Sequence, residues 1–176
     1  MKTFESKIGE IVIDKADLND ALELINYMKK VGSESDFLTF GEGEFDQTID
    51  DIKYSIKESI TKDNILYIVA KHNKKIIGNL KLSASQRPRI LHVGEFGISV
   101  LKDYWGNKVG KELLLYMIDW AKSGNMIKKI NLYVRTDNHG GIKLYEKLGF
   151  KIEGTTTRSY FIDNKYYDSH LMGLEL

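Results

Sequence analysis

The sequence predicts an α/β protein of the α+β kind: a mixed, mostly antiparallel seven-stranded sheet with helices on both of its faces. Three observations carry that expectation. Apolar residues alternate in some stretches and recur every three or four residues in others, giving the order β, α, α, β, β, β, α, β, α, β, β. A strong helical pattern at 109–122 stands between strand patterns at 90–100 and 128–135, so at least one strand–helix–strand crossover is present. The 176 residues hold one proline and no internal repeat or Pro/Gly/Ser-rich linker, which favours a single domain over 1–176.

Residues 8–14 form the first strand in this scheme. In the helix that follows, Leu18, Ala21, Leu22, Ile25 and Met28 share one face, and Asp14 or Asp17 can cap it. Ile49, Ile52, Ile56 and Ile60 mark a second helix over 48–60. Residues 65–71 and 75–83 are apolar runs joined across His72, Asn73 and Lys74, as in an antiparallel hairpin. The fourth strand, 90–100, contains Gly94 and Gly97, and glycine inside a strand signals a bulge or a close approach by something else. A polar loop at 102–108 leads into the helix at 109–122, whose buried face is expected at Leu113, Met117 and Trp120. Residues 128–135 are the fifth strand and 138–147 a short helix; 151–162 and 166–174 pair around Asp163, Asn164 and Lys165.

Composition excludes several classes. The absence of cysteine removes a disulfide scaffold, a thiolate nucleophile and Cys-based zinc sites. The longest apolar runs, 65–70 and 113–118, are far short of the roughly 20 residues that span a bilayer. Residues 1–7 are too charged for a secretory apolar region, so a cytoplasmic protein without a membrane partner is expected. The four histidines lack metal-ligand spacing, and no metal is expected. A net charge of +1 argues against nucleic acid as a partner.

The distribution of charge is more informative. Residues 1–60 carry 7 Lys/Arg and 14 Asp/Glu, whereas residues 61–176 carry 19 and 11. Within 32–51 there are seven acids (Glu34, Asp36, Glu42, Glu44, Asp46, Asp50 and Asp51) and no base. Such a run is a solvated loop or a surface that draws a cationic substrate toward a site whose other half prefers phosphate.

The junction between the fourth strand and the third helix can hold that phosphate. It runs from Val100 through Trp105, Gly106, Asn107 and Lys108 into Val109, Gly110 and Lys111, aiming free backbone N–H groups and a positive helix end at one spot. A P-loop is excluded because Gly106 and Gly110 are one residue too close and Glu112 stands where magnesium needs Ser or Thr. No Gly-x-Gly-x-x-Gly occurs.

This junction resembles the signature of the Gcn5-related N-acetyltransferases, the GNAT family, whose loop reads Gln/Arg-x-x-Gly-x-Gly/Ala after a strand ending in Val-x-Pro. Val100 matches the strand-end valine and Gly110 the last glycine; Lys102 replaces the proline, Trp105 the Gln/Arg and Lys108 the central glycine. Tyr104-Trp105-Gly106 is similar to the ribosomal-protein alanine N-acetyltransferase branch. Farther on, Asn138-x-x-Gly141-x-x-Leu144-Tyr145-Glu146-Lys147-Leu148-Gly149-Phe150 resembles the family's Asn-x-x-Ala-x-x-Leu-Tyr-x-x-x-Gly-Phe, with one helix and one strand between the landmarks. The resemblance implies acetyl-CoA as co-substrate, splayed fourth and fifth strands, and a pantetheine arm along the fourth.

Family position implies that backbone N–H groups of Ile98, Ser99 and Val100 serve pantetheine and the thioester oxygen, the alternative being ordinary ladder bonding. Tyr145 is the candidate general acid or else a core aromatic beside Ile142 and Leu148. Asn138 caps its helix, contacts cofactor, or does both. For the general base the candidate is Glu95, which by alternation shares a face with Val93, Gly97 and Ser99; Asp36 and Glu34 are rivals, and His92 reads as structural. The expected function is acetyl transfer to a primary amine by direct attack, with an inactive CoA-binding module as the alternative. The acceptor is a small-molecule or protein amine, and a homodimer is compatible with such a fold.

Overall fold

The computed structural model describes residues 1–176. Gly9, at φ +101°, lets the chain reverse after Ser6, whose hydroxyl donates to the Gly9 carbonyl at 2.8 Å. Residues Lys2–Ser6 (β1) therefore pair antiparallel with Gly9–Lys15 (β2). This eighth strand corrects the seven-strand expectation. Phe4 is the one apolar residue in Lys-Thr-Phe-Glu-Ser, so β1 has almost no hydrophobic pattern to announce it.

After β2, Asp17 accepts from Asn19 N at 2.9 Å and its own N–H donates to Asp20 at 3.0 Å, closing a short 3-10 turn, Leu18–Asp20. Helix α1 begins at Ala21 and runs to Glu34, burying Leu24, Ile25, Tyr27 and Val31. The buried stripe of α1 runs through Ala21, Leu24, Ile25 and Val31, so Leu22, expected inside, lies off it and is 58% exposed. Helix α2, Ile49–Thr61, opens with Thr48 and Asp51 capping each other's backbone N–H groups, and buries Ile52 and Ile56. Ile49 and Ile60, at its two ends, are exposed.

The hairpin β3 (Ile65–His72) and β4 (Lys75–Ala84) forms as expected. Strand β5 is Val93–Val100, helix α3 is Val109–Gly124, β6 is Lys129–Arg135 and α4 is His139–Lys147. Strands β7 (Lys151–Ile162) and β8 (Lys165–Glu175) close the chain, and the sheet order is β1-β2-β3-β4-β5-β6-β8-β7. Two cores result. One packs α3, Tyr145 of α4 and Phe150 against one face of the sheet; the other packs α1 and α2 against the opposite face. Each fully buried Leu or Ile contributes on the order of 1.5–3 kcal/mol.

The fourth and fifth strands of the expected scheme are β5 and β6, and they do splay. They pair, in parallel, only from Val93–Glu95 to Lys129–Asn131. Beyond that point β6 continues on β8 while β5 continues on β4 alone.

Candidate active site

Separation of β5 from β6 leaves backbone groups without a ladder partner in the middle of a sheet, where they would otherwise be satisfied. Their direction follows from the pairing on the other edge. Leu101 N donates to the Ile77 carbonyl at 3.0 Å, so alternation turns the amides of Ser99 and Gly97 to β4 and those of Ile98 and Val100 to the gap. Ser99 N–H is thus directed into the ladder, unlike its expected cofactor role. The Val100 carbonyl faces the gap and accepts from Trp105 Nε1 at 2.7 Å, which folds the half-exposed indole back over the strand end.

The gap opens into a cleft of about 2270 Å³ that reaches from the loop after α1, across β4 and β5, to the N-termini of α3 and α4. At the α3 end, Gly106 has φ +76° and nothing within 4 Å of where a Cβ would stand. Lys108, at φ 66°, is the N-cap of α3 and gives it no side-chain hydrogen bond, so first-turn N–H groups remain free beside Lys108 and Lys111. A left-handed lysine costs about 1 kcal/mol relative to glycine and leaves its side chain lining the cleft. Asn107 behaves otherwise: its buried amide donates to the carbonyls of Tyr104 and Trp105 at 3.3 and 3.2 Å and ties the loop from within. Val109 is a core side chain, so only its backbone faces the cradle.

Asn138 accepts from Gly141 N at 2.9 Å and caps α4. A Cβ on Gly141 would meet that same side chain at about 2.9 Å, which accounts for glycine at this position. One helical face later, Tyr145 is 9% exposed, lines the cleft, and meets Phe96 and Phe150 edge-on at ring distances of 6.1 and 6.0 Å. Burial, helped by Tyr160, pushes its hydroxyl up to about 12. Tyr145 is therefore a core ring that also lines the cleft.

On the α1/α2 side, β3, β4 and β5 present three cross-strand rows: Val69–Asn79–Ser99, Tyr67–Lys81–Gly97 and Ile65–Ser83–Glu95. Glu95 is exposed and lines the cleft. Its rival Glu34 is committed, accepting from Lys102 N at 2.8 Å and pairing with Lys30 at 3.5 Å. His92 is exposed at the start of β5, where its carbonyl accepts from Lys128 N at 2.8 Å, and it does not line the cleft.

Two residues that support the cleft wall from behind, Tyr27 and Arg135, have no sequence signal. The Tyr27 hydroxyl lies 2.9 Å from Ser99 Oγ, which donates to Asn79 Oδ1 at 2.7 Å, and burial holds the Tyr27 hydroxyl well above its ordinary value. Arg135, 5% exposed, donates to both carboxylate oxygens of Asp137 at 3.0 and 2.6 Å and to the Asp36 carbonyl at 2.7 Å. Its guanidinium also stacks 3.8 Å over Tyr167 and 5.0 Å over Phe37. This staple holds the acidic loop against the β6 end. Arg135→Ala is expected to free residues 35–47, seen as at least tenfold faster proteolysis there at unchanged temperature; unchanged cleavage would mean that the loop is held by other contacts.

Residues 31–150 match the model of the acetyltransferase (GNAT) family. The L-amino acid N-acetyltransferase AaaT of Escherichia coli (strain K12) is 33% identical over 111 residues, which are 63% of this chain and 68% of that one. The fold is similar to an acetyltransferase of GNAT family from Streptococcus pneumoniae, with a TM-score of 0.92, 32% identity, and 94% and 99% of the two chains covered. A Salmonella typhimurium structure that includes its cofactor acetyl-CoA has a TM-score of 0.81 at 17% identity over 94% of each chain.

Proposed function

The chain belongs to the acetyltransferase (GNAT) family and is an acetyl-CoA-dependent N-acetyltransferase; on that premise we propose how its residues divide the work and what amine they receive. One observation carries the proposal: the open edge of β5, the α3 cradle and Tyr145 line a single cleft whose other end is acidic. Acetyl-CoA supplies the acetyl group as a thioester.

N–H groups of Gly106, Lys108, Gly110 and Lys111, with the ammonium groups of the two lysines, hold the pyrophosphate at the positive end of α3. Gap-facing Ile98 and Val100 bind the pantetheine arm and donate where negative charge develops on the thioester oxygen. Trp105 covers the strand end, and Asn138 shapes the α4 end of the same wall. Glu95 takes a proton from the incoming ammonium, directly or through water, so that the amine lone pair attacks the carbonyl carbon without a covalent enzyme intermediate. As the C–S bond breaks, Tyr145 protonates the departing thiolate and regains its proton from solvent, while the new amide nitrogen releases its second proton to solvent.

Free-thiol release measured against an amine panel tests the transfer. Amine-dependent thiol production supports it, whereas tight CoA binding without amine-dependent thiol would indicate a binding module. The acceptor enters under 35–47, where Asp36 and Asp46 line the cleft and have no cationic side-chain partner. Neutralising both (Asp36→Asn with Asp46→Asn) is expected to raise KM for a cationic acceptor several-fold, and the difference should shrink with salt, because these exposed charges act over about 8 Å at physiological ionic strength. An acceptor KM insensitive to both changes would return the acidic run to a solvated loop.

A further inference from the structure

Lys81 is out of place in an acidic acceptor site. Residues 32–51 carry no base, and the other lysines of the cleft, Lys108 and Lys111, stand at the start of α3. Lys81 instead lies on β4, with Tyr67 opposite it on β3 and Gly97 opposite it on β5. Its half-buried ammonium donates to Ser55 Oγ at 2.5 Å and sits 5.8 Å from the Tyr67 ring centroid. It makes no ion pair. The nearby carboxylate of Glu58 is bonded to Lys62, and its charge only partly offsets the burial that lowers the Lys81 pKa. A partly desolvated cation without a carboxylate is unfavourable unless something else supplies the negative charge.

The surroundings show where that charge could come from. A Cβ at Gly97 would meet nothing within 4 Å, so space opens over the strand beside Lys81. Glu95 stands two residues before Gly97 on the same face. A cation and a carboxylate therefore flank one open stretch of β5, next to the point where it parts from β6. An ammonium and a carboxylate one carbon apart fit such a pair of opposite charges, whereas a simple amine leaves Lys81 unanswered.

Resting on the acceptor placement given above, we propose that Lys81 binds the carboxylate of an α-amino acid acceptor while the α-amine lies toward Glu95. The acids of 35–47 then favour amino acids with a cationic side chain. L-Arginine and L-argininamide make the test pair, because both are cationic, each offers one acylatable amine, and the carboxylate is replaced by an amide whose less basic α-amine biases the comparison against the acid. The twenty L-amino acids with their α-amides extend the panel. Thiol release by the wild-type protein is expected to show kcat/KM at least about tenfold higher for the acids than for their amides. Lys81→Met, which keeps the aliphatic stem, should lower kcat/KM for the acid at least about tenfold more than for the amide, and Lys81→Arg should restore most of the preference. Thermal unfolding of both variants identifies a folding defect. Equal rates on acids and amides in the wild type, or equal losses on both in Lys81→Met, would overturn the carboxylate role while leaving the acetyltransferase intact. Turnover of no amine at all would overturn both.

Discussion

Tyr145→Phe is expected to lower kcat about 10- to 10⁴-fold while acetyl-CoA affinity changes little. The ring and its edge-on contacts with Phe96 and Phe150 remain, and the hydroxyl makes no hydrogen bond to another protein group, so stability should hardly move. What is lost is a proton donor. Its pH behaviour follows from burial: with the hydroxyl pushed up to about 12, the donor stays protonated through neutral and mildly alkaline pH. Proton donation by Tyr145 therefore should not set a falling alkaline limb in kcat below about pH 11, and an unperturbed phenol would set one near 10. A kcat within about twofold of wild type, with chemistry shown to be rate-limiting, would leave Tyr145 as a core aromatic only.

Residues whose role is set locally were legible in the sequence. Gly106, Asn138 and Gly141 owe their identity to backbone conformation and capping within a few positions of themselves, and α3 and α4 lie within two residues of the expected ranges. Periodicity also predicted helices on both faces of the sheet, as found. The misses have a common cause in longer-range geometry. Which β5 amides are free depends on the strand that departs, so Ser99 could be separated from Ile98 and Val100 only once the β4 register was known. Arg135 and Lys81 acquire their surroundings from partners 99 and 26 residues away, Asp36 and Ser55, with no pattern in between. Leu22 was placed inside because its spacing from Leu18 and Ile25 suits a helical face as well as that of Leu24 does, and only the packing of α1 on the sheet selects Ala21, Leu24, Ile25 and Val31.

Disrupting the α3 cradle is expected to weaken acetyl-CoA binding more than any change at the acceptor end. Gly106 sits at φ +76°, and proline fixes φ near −65°, so Gly106→Pro must reroute the loop and remove one of its N–H donors. The change falls outside both helix and strand, at a residue with open space around it, so most of the fold should survive. Losing one or two hydrogen bonds to a charged phosphate corresponds to about 1.5–3 kcal/mol each, or roughly 10- to 100-fold in affinity per bond. Gly110→Val adds a test from inside the helix. A Cβ there is tolerated at 3.5 Å from Leu144, but the two further methyls crowd Leu144 or the cleft wall formed by the first turn. Lys108→Gly separates side chain from backbone. It should stabilise the protein by up to about 1 kcal/mol by relieving a left-handed lysine, yet lower acetyl-CoA affinity in low salt far more than in high salt. Calorimetry that finds wild-type affinity in both Gly106→Pro and Gly110→Val would remove the pyrophosphate from this loop, because no rearrangement that keeps the phosphate on these N–H groups is compatible with both substitutions.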